Sequence, residues 1–176
     1  MGAVALDTKR ELYQLFAELL EYPGAALAEK AERCGRLLSE VKPEAAELVE
    51  RFAAFAATTP RGSVEEQYTG AFDLNPVCYP YAGYLLFGED PKRNDLMLKL
   101  VETYRETGFD SGDELPDHVA VMFRFLSRLD DGEMERDVRM HLLGPSLEKM
   151  SESLEKSRSA YLGVTRAAKS FLGDES

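Results

Sequence analysis

Few residues in this chain have the types and spacing that covalent chemistry needs. The two histidines, His118 and His141, are far apart, and neither belongs to an HExxH pair. The two cysteines, Cys34 and Cys78, form no CxxC. Cys34 sits among helical alanines and reads as a packing residue, and Cys78 reads as a buried thiol. A phosphate cradle of the GxxxxGK[ST] or GxGxxG kind is missing, as is a GxSxG nucleophile turn. Neither a metal, a cofactor nor catalysis is expected from such a set. Binding chemistry is better represented, in two segments. Tyr68-Thr69-Gly70-Ala71-Phe72-Asp73-Leu74-Asn75-Pro76 places side-chain turn formers at a helix end. Glu114-Leu115-Pro116-Asp117-His118 places a proline and an acid at a helix start. Each alone reads as a turn or a cap. Together they predict a groove with carboxylates at its rim and Leu, Met (Met122 among them) and Phe on its floor. Such a groove suits an amphipathic peptide with arginines beside an apolar run, because the planar guanidinium binds carboxylates through two parallel hydrogen bonds.

Charge supports a cationic partner. Net charge is −11 over 176 residues. Residues 62–131 hold 14 acidic and 6 basic side chains, so most of the excess lies in the middle of the chain, where both segments are. This field repels nucleic acid and anionic membranes. The N-terminal stretch MGAVALDTKREL is too short in apolar residues for a signal peptide. No apolar run approaches the ~18 residues of a membrane span. A cytoplasmic protein with free thiols is the expectation.

The elements that must position these segments are helical. Leu12, Leu15, Phe16, Leu19 and Leu20 repeat at helical spacing, with Asp7 or Thr8 as cap and Pro23-Gly24 as terminator. Further helices are predicted over about 25–39, from Pro43 to before Pro60, and from Gly62-Ser63 to about 71, the last with a Ser63/Glu66 capping box. The stretch FDLNPVCYPYAGYLLFGEDP cannot be one helix, since Pro76, Pro80 and Pro91 each break it. It reads as an ordered loop pinned by rings, with one helical turn near Gly83–Phe87. A helix over about 92–107 follows, with Leu96, Leu100, Val101 and Tyr104 inward and Gly108 as terminator. Pro116 then starts another, with Val119, Met122, Phe123, Leu126 and Leu129 inward. Next come a helix over about 133–143, a break at Gly144-Pro145, and a last helix carrying Leu147, Met150, Leu154 and Tyr161. Residues 173–176 should fray. No segment alternates as a strand does. The prediction is an all-α fold: one bundle of about eight or nine helices spanning residues 1–176.

EEQYTGAFDLNPVCYPYAGYLLFGED, followed one helix later by ELPDHVAVMFRFLS, resembles the NarJ branch of the NarJ/TorD/DmsD redox-enzyme maturation chaperones. Glu21-Tyr22-Pro23 at the end of the opening helix also fits. The resemblance covers about residues 5–130. It implies an all-helical chaperone that is not an enzyme. It implies binding to the basic N-terminal leader of the apo catalytic subunit of a molybdopterin-containing oxidoreductase, which is held until its molybdenum cofactor is inserted. Peptide binding would fall to Asp113, Glu114, Leu115, Pro116, Asp117, His118 and Met122, and to Tyr68, Asp73, Pro76 and Tyr79. The chain ends at Ser176, short of the charged tail of nitrate-reductase chaperones in that branch, so the resemblance does not choose the client. Some relatives exchange helices between subunits, and Gly144-Pro145 could serve a homodimer as a hinge. Two other readings are open at this point: a general helical adaptor for an unrelated basic peptide, and a weak nucleotide-binding protein.

Overall fold

The structure is a computed structural model and describes residues 4–173. Among them ten α-helices and one π-helical stretch are formed: α1 (Leu6–Leu19), α2 (Leu27–Val41), α3 (Pro43–Thr58), α4 (Arg61–Phe72), α5 (Ala82–Phe87), α6 (Lys92–Thr107), α7 (Val119–Leu126), α8 (Glu133–Asp137), the π stretch Val138–Leu143, α9 (Gly144–Ser157) and α10 (Leu162–Leu172). Because α8, the π stretch and α9 run on without interruption, the described residues make nine helical rods. The only β-like contact among them is an isolated antiparallel bridge between Tyr81 and His118. The fold is all-α, as the periodicity predicts.

The apolar stripe of α1 is the centre of the bundle. Tyr13 and Phe16 pack with Phe123 of α7 and Phe171 of α10, ring centroids 5.6–6.3 Å apart. A second aromatic cluster joins α3, α4 and the start of α10: Phe52, Tyr68 and Phe72 all contact the Tyr161 ring. A third ties α6 to α7 through Tyr104, Phe109 and Phe125. A buried ionic group centred on Glu135 ties helices of the bundle together. Glu135 accepts from Tyr13 Oη at 2.5 Å and from Arg139 Nε at 3.0 Å, and Lys9 Nζ lies 3.2 Å away. Arg139 also donates to the Leu172 carbonyl, so α1, α8 and α10 are held through one carboxylate.

Several local expectations are corrected. Ala5, not Asp7 or Thr8, precedes α1, and no side chain caps it. α4 begins at Arg61, and the Pro60 carbonyl accepts from Ser63 and Val64, so Ser63 lies inside the first turn and makes no capping box. Val101 is 54% exposed on the outer face of α6. Gly144-Pro145 is not a break. Pro145 cannot donate to the carbonyl four residues back and its ring crowds it, so the helix widens: Gly144 N–H donates five residues back to Arg139, and the rod continues. Tyr161 does not belong to α9. Arg158 adopts the left-handed conformation (φ 54°) and closes α9, and α10 starts after Tyr161. Of the end expected to fray, Gly173 is a turn bonded to Lys169, and residues 174–176 lie outside the described residues.

Candidate functional site

The two signature segments meet in space. After α4 the chain folds back on the helix it has left: Val77 N–H donates to Gly70 O at 3.2 Å and Cys78 N–H to Ala71 O at 3.0 Å. Asn75 takes the left-handed conformation (φ 47°) that this reversal needs. Pro80–Ala82 then runs antiparallel to Asp117–Val119. Ala82 N–H donates to Asp117 O at 2.8 Å, and Val119 N–H to Pro80 O at 3.0 Å. These bonds take up backbone groups that a helix starting at Pro116 would use. α7 therefore begins at Val119, with His118 as its cap, three residues past the predicted start at Pro116.

Asp117 holds this junction. It is wholly buried. Its Oδ2 accepts from Gly83 N–H at 3.0 Å and from Arg93 Nε at 3.3 Å. Its Oδ1 is buried with no donor among the described residues. Gly83 is glycine for steric reasons, since a Cβ there would lie 2.7 Å from Asp117 Oδ2 and 2.8 Å from Arg93 Cγ. Arg93 also sits over the Tyr81 ring, 5.9 Å from its centroid. The Tyr104 hydroxyl donates to Pro116 O at 2.7 Å, fixing the connection from the α6 side.

His118 caps α7 by accepting Ala120 N–H on Nδ1 at 3.0 Å. Burial lowers its pKa, against the opposing pull of Glu114 and Asp117. The ring is thus neutral at pH 7, and its proton sits on Nε2. Tyr81 stacks edge-on against it at 5.3 Å and donates its hydroxyl to Glu114 at 3.1 Å. Burial and the Glu114 charge push the Tyr81 phenol up to about 12. Burial likewise pushes the Cys78 thiol up to about 12 and raises Cys34 further, so neither is a reactive thiolate at neutral pH.

In front of this junction lies a cavity of about 370 Å³. Its apolar lining is Tyr22, Tyr68, Phe72, Pro80, Tyr81, Ala120 and Val121. Three carboxylates open onto it: Glu21, Asp73 and Glu114. Of the predicted residues, Tyr68, Asp73, Glu114 and His118 line the cavity. Asp117 stands behind it as a support. Pro116 is half-buried and serves through its carbonyl. Pro76 and Tyr79 sit on the loop outside, Tyr79 exposed and packed on Tyr84. Asp113 and Leu115 are exposed on the connection before α7. Met122 is wholly buried in the core, so the floor is not built from Leu and Met. α7 starts later than predicted and turns Ala120 and Val121, not Met122, toward the cavity. Residues missed include Tyr22, Phe72, Tyr81 and the Glu21–Arg124 ion pair. Glu21, Tyr22 and Arg124 lie within the stretches that carry the resemblance, but nothing local marks them as lining a site.

A profile of the nitrate reductase delta subunit matches residues 38–166, well over half the chain and both signature segments. The chain belongs to the nitrate reductase delta subunit family. That family is one of maturation chaperones rather than catalysts, which agrees with the NarJ-like resemblance of the two segments. The crystal structure of a candidate redox enzyme maturation protein from Archaeoglobus fulgidus is similar, with a TM-score of 0.68 and 22% identity over 99% of this chain and 96% of that one. At that identity the likeness establishes the fold. No curated protein sequence matches. As a member of the delta subunit family, the chain shows no group of three or more metal-ligating side chains among its described residues. No helix among them is long and apolar enough to cross a membrane.

Two outcomes follow from the junction. Arg93→Met removes the charged partner of a wholly buried carboxylate and should cost about 3 kcal/mol in urea unfolding. Adding Asp117→Asn should cost less than the sum of the single changes, because the charge and its partner then leave together. For His118 the lowered folded-state pKa means that the unfolded chain binds the proton more tightly. Its contribution is therefore complete above about pH 6.5 and is lost as pH falls through the folded value. Melting temperature should fall on acidification from pH 7.5 toward 5.5. His118→Asn, which keeps a capping acceptor, should flatten that part of the profile.

Proposed function

We propose that the chain is a cytoplasmic maturation chaperone whose cavity takes the basic N-terminal leader of the apo catalytic subunit of a molybdopterin-containing oxidoreductase. It holds that subunit until the molybdenum cofactor is inserted, and performs no chemistry itself. Family membership supports the chaperone part. The observation that carries the leader part is the cavity where the two signature segments meet. Its walls are aromatic, and two of its carboxylates, Asp73 and Glu114, have no cationic partner among the described residues. Such a site offers a guanidinium both the charge and the ring faces that it binds best. The Tyr22 ring, 56% exposed beside Tyr68, is the most open of those faces. Apolar residues of the leader would lie along Leu74 (71% exposed) and Val77 (45% exposed) on the adjoining loop.

A chaperone of this kind works by differential affinity: it must bind the immature client better than the finished one. Asp73 and Glu114 are spared the desolvation cost of a buried pair, so they act on encounter and register more than on raw affinity. Deleting the gene should leave the client subunit made but inactive and poor in molybdenum cofactor. Asp73→Asn/Glu114→Gln should fail to restore cofactor content although the variant protein is present and folded. A client that matures normally in the deletion strain would show the reading to be wrong.

A further inference from the structure

We propose that Arg124 is a built-in placeholder on Glu21, which a ligand's guanidinium displaces when it binds. This rests on the leader-binding reading and adds a regulatory element to the same cavity.

The three carboxylates of the cavity are not equivalent. Asp73 and Glu114 are exposed and have no cationic partner among the described residues, whereas Glu21 is paired with Arg124. Glu21 Oε1 is buried, and the charged group against it is the Arg124 guanidinium. The pair spans two elements, Glu21 just past the end of α1 and Arg124 on α7. Both side chains are about one-third exposed, at 33% and 34%, so the contact can open without moving either backbone.

The occupant has the same chemistry as the proposed ligand group. A guanidinium already lies in a cavity suited to guanidinium, on the one carboxylate set back from the rim. Arg124 also feels a second acid: burial lowers its pKa, and the charge of Glu18 opposes that shift. Glu18 lies three residues before Glu21, accepts from Gln14 Nε2 at 3.2 Å and lies 3.7 Å from Lys30 Nζ. It is thus an alternative partner within reach of the displaced side chain. With Arg124 on Glu21 and His118 neutral, the empty cavity carries a net charge of −2, from Asp73 and Glu114. A cation entering the cavity must therefore compete for the deepest acid, and a fork-shaped head that can pair with carboxylate in two places competes best. Arg124 would set a threshold that separates a guanidinium from a weaker cationic or neutral side chain.

The test uses the full-length protein, calorimetry and two synthetic peptides. One is an amphipathic peptide with a single arginine beside an apolar run, and the other is its Arg→Gln twin. R124Q frees Glu21 and removes a like charge, so it should bind the arginine peptide about two- to fivefold more tightly than the wild type, as for one partly exposed ion pair. Affinity for the glutamine twin should not change. Unchanged or weaker arginine-peptide binding by R124Q, with the wild type binding normally, would overturn the placeholder and leave the leader-binding reading intact. If the wild type binds neither peptide, both fall. Should R124Q melt early, E21Q decides: it should lose arginine-peptide affinity and keep that for the twin, and an unchanged preference for arginine would overturn the proposal.

Discussion

A carboxylate without access to water stands where three segments of the chain meet. Asp117 cannot be charged in such a place without compensation, and the compensation dictates the surroundings. Gly83 must present a backbone N–H at 3.0 Å, which forbids a side chain at that residue. Arg93 must reach back from the first turn of α6. Ala82 and Val119 complete the join through backbone bonds. The loop from Asp73 to Tyr81 and the connection from Asp113 to His118 are therefore held against each other by polar contacts that are expensive to break. Neither is a secondary-structure element, and without this clamp neither would have a reason to stay in one place.

The cavity is a consequence of that clamp. Asp117 itself never reaches it. What it does is bring Tyr81, Glu114 and His118 to one side, opposite Tyr68 and Phe72 of α4 and Tyr22 at the end of α1. Burial keeps His118 neutral, so the wall beside Glu114 does not cancel the acid next to it. The result is a small aromatic recess with two uncompensated carboxylates and one carboxylate already held by Arg124. The buried Glu135 network has a different office: it sits between α1, α8 and α10 and holds the bundle on which the recess is carried.

Features encoded by a few neighbouring residues were legible in the sequence. The helix start at Pro43 and the helix end at Gly108 follow from the chemistry of single residues, and the aromatic loop with one helical turn follows from its prolines, whereas α1 already stops at Leu19, four residues before the expected terminator Pro23. Features set by distant partners were not. Pro116 starts no helix because residues 117–119 bond to the loop 35 or so positions earlier. Arg158 takes a conformation that glycine usually marks. Pro145 widens a helix instead of ending one. Asp117 and His118 looked like two residues of a cap. Only His118 caps, while Asp117 is the clamp, a difference decided by Gly83 and Arg93. The cavity draws on three separate stretches, Glu21-Tyr22, Tyr68 to Tyr81 and Glu114 to Arg124, and no local pattern shows that they meet.

The central claim is that this recess is where a basic leader peptide binds. The most direct measurement is amide chemical-shift mapping of the isotope-labelled protein during titration with an arginine-containing amphipathic peptide, at low and at high salt. Perturbations should centre on Tyr22, Tyr68, Asp73, Tyr81, Glu114 and Val121, and their apparent affinity should weaken as salt screens the rim carboxylates over about 8 Å at physiological ionic strength. Shifts confined to another face, such as the polar cleft between Lys42 of the α2–α3 turn and Ser151 and Arg166 of α9 and α10, would contradict the account.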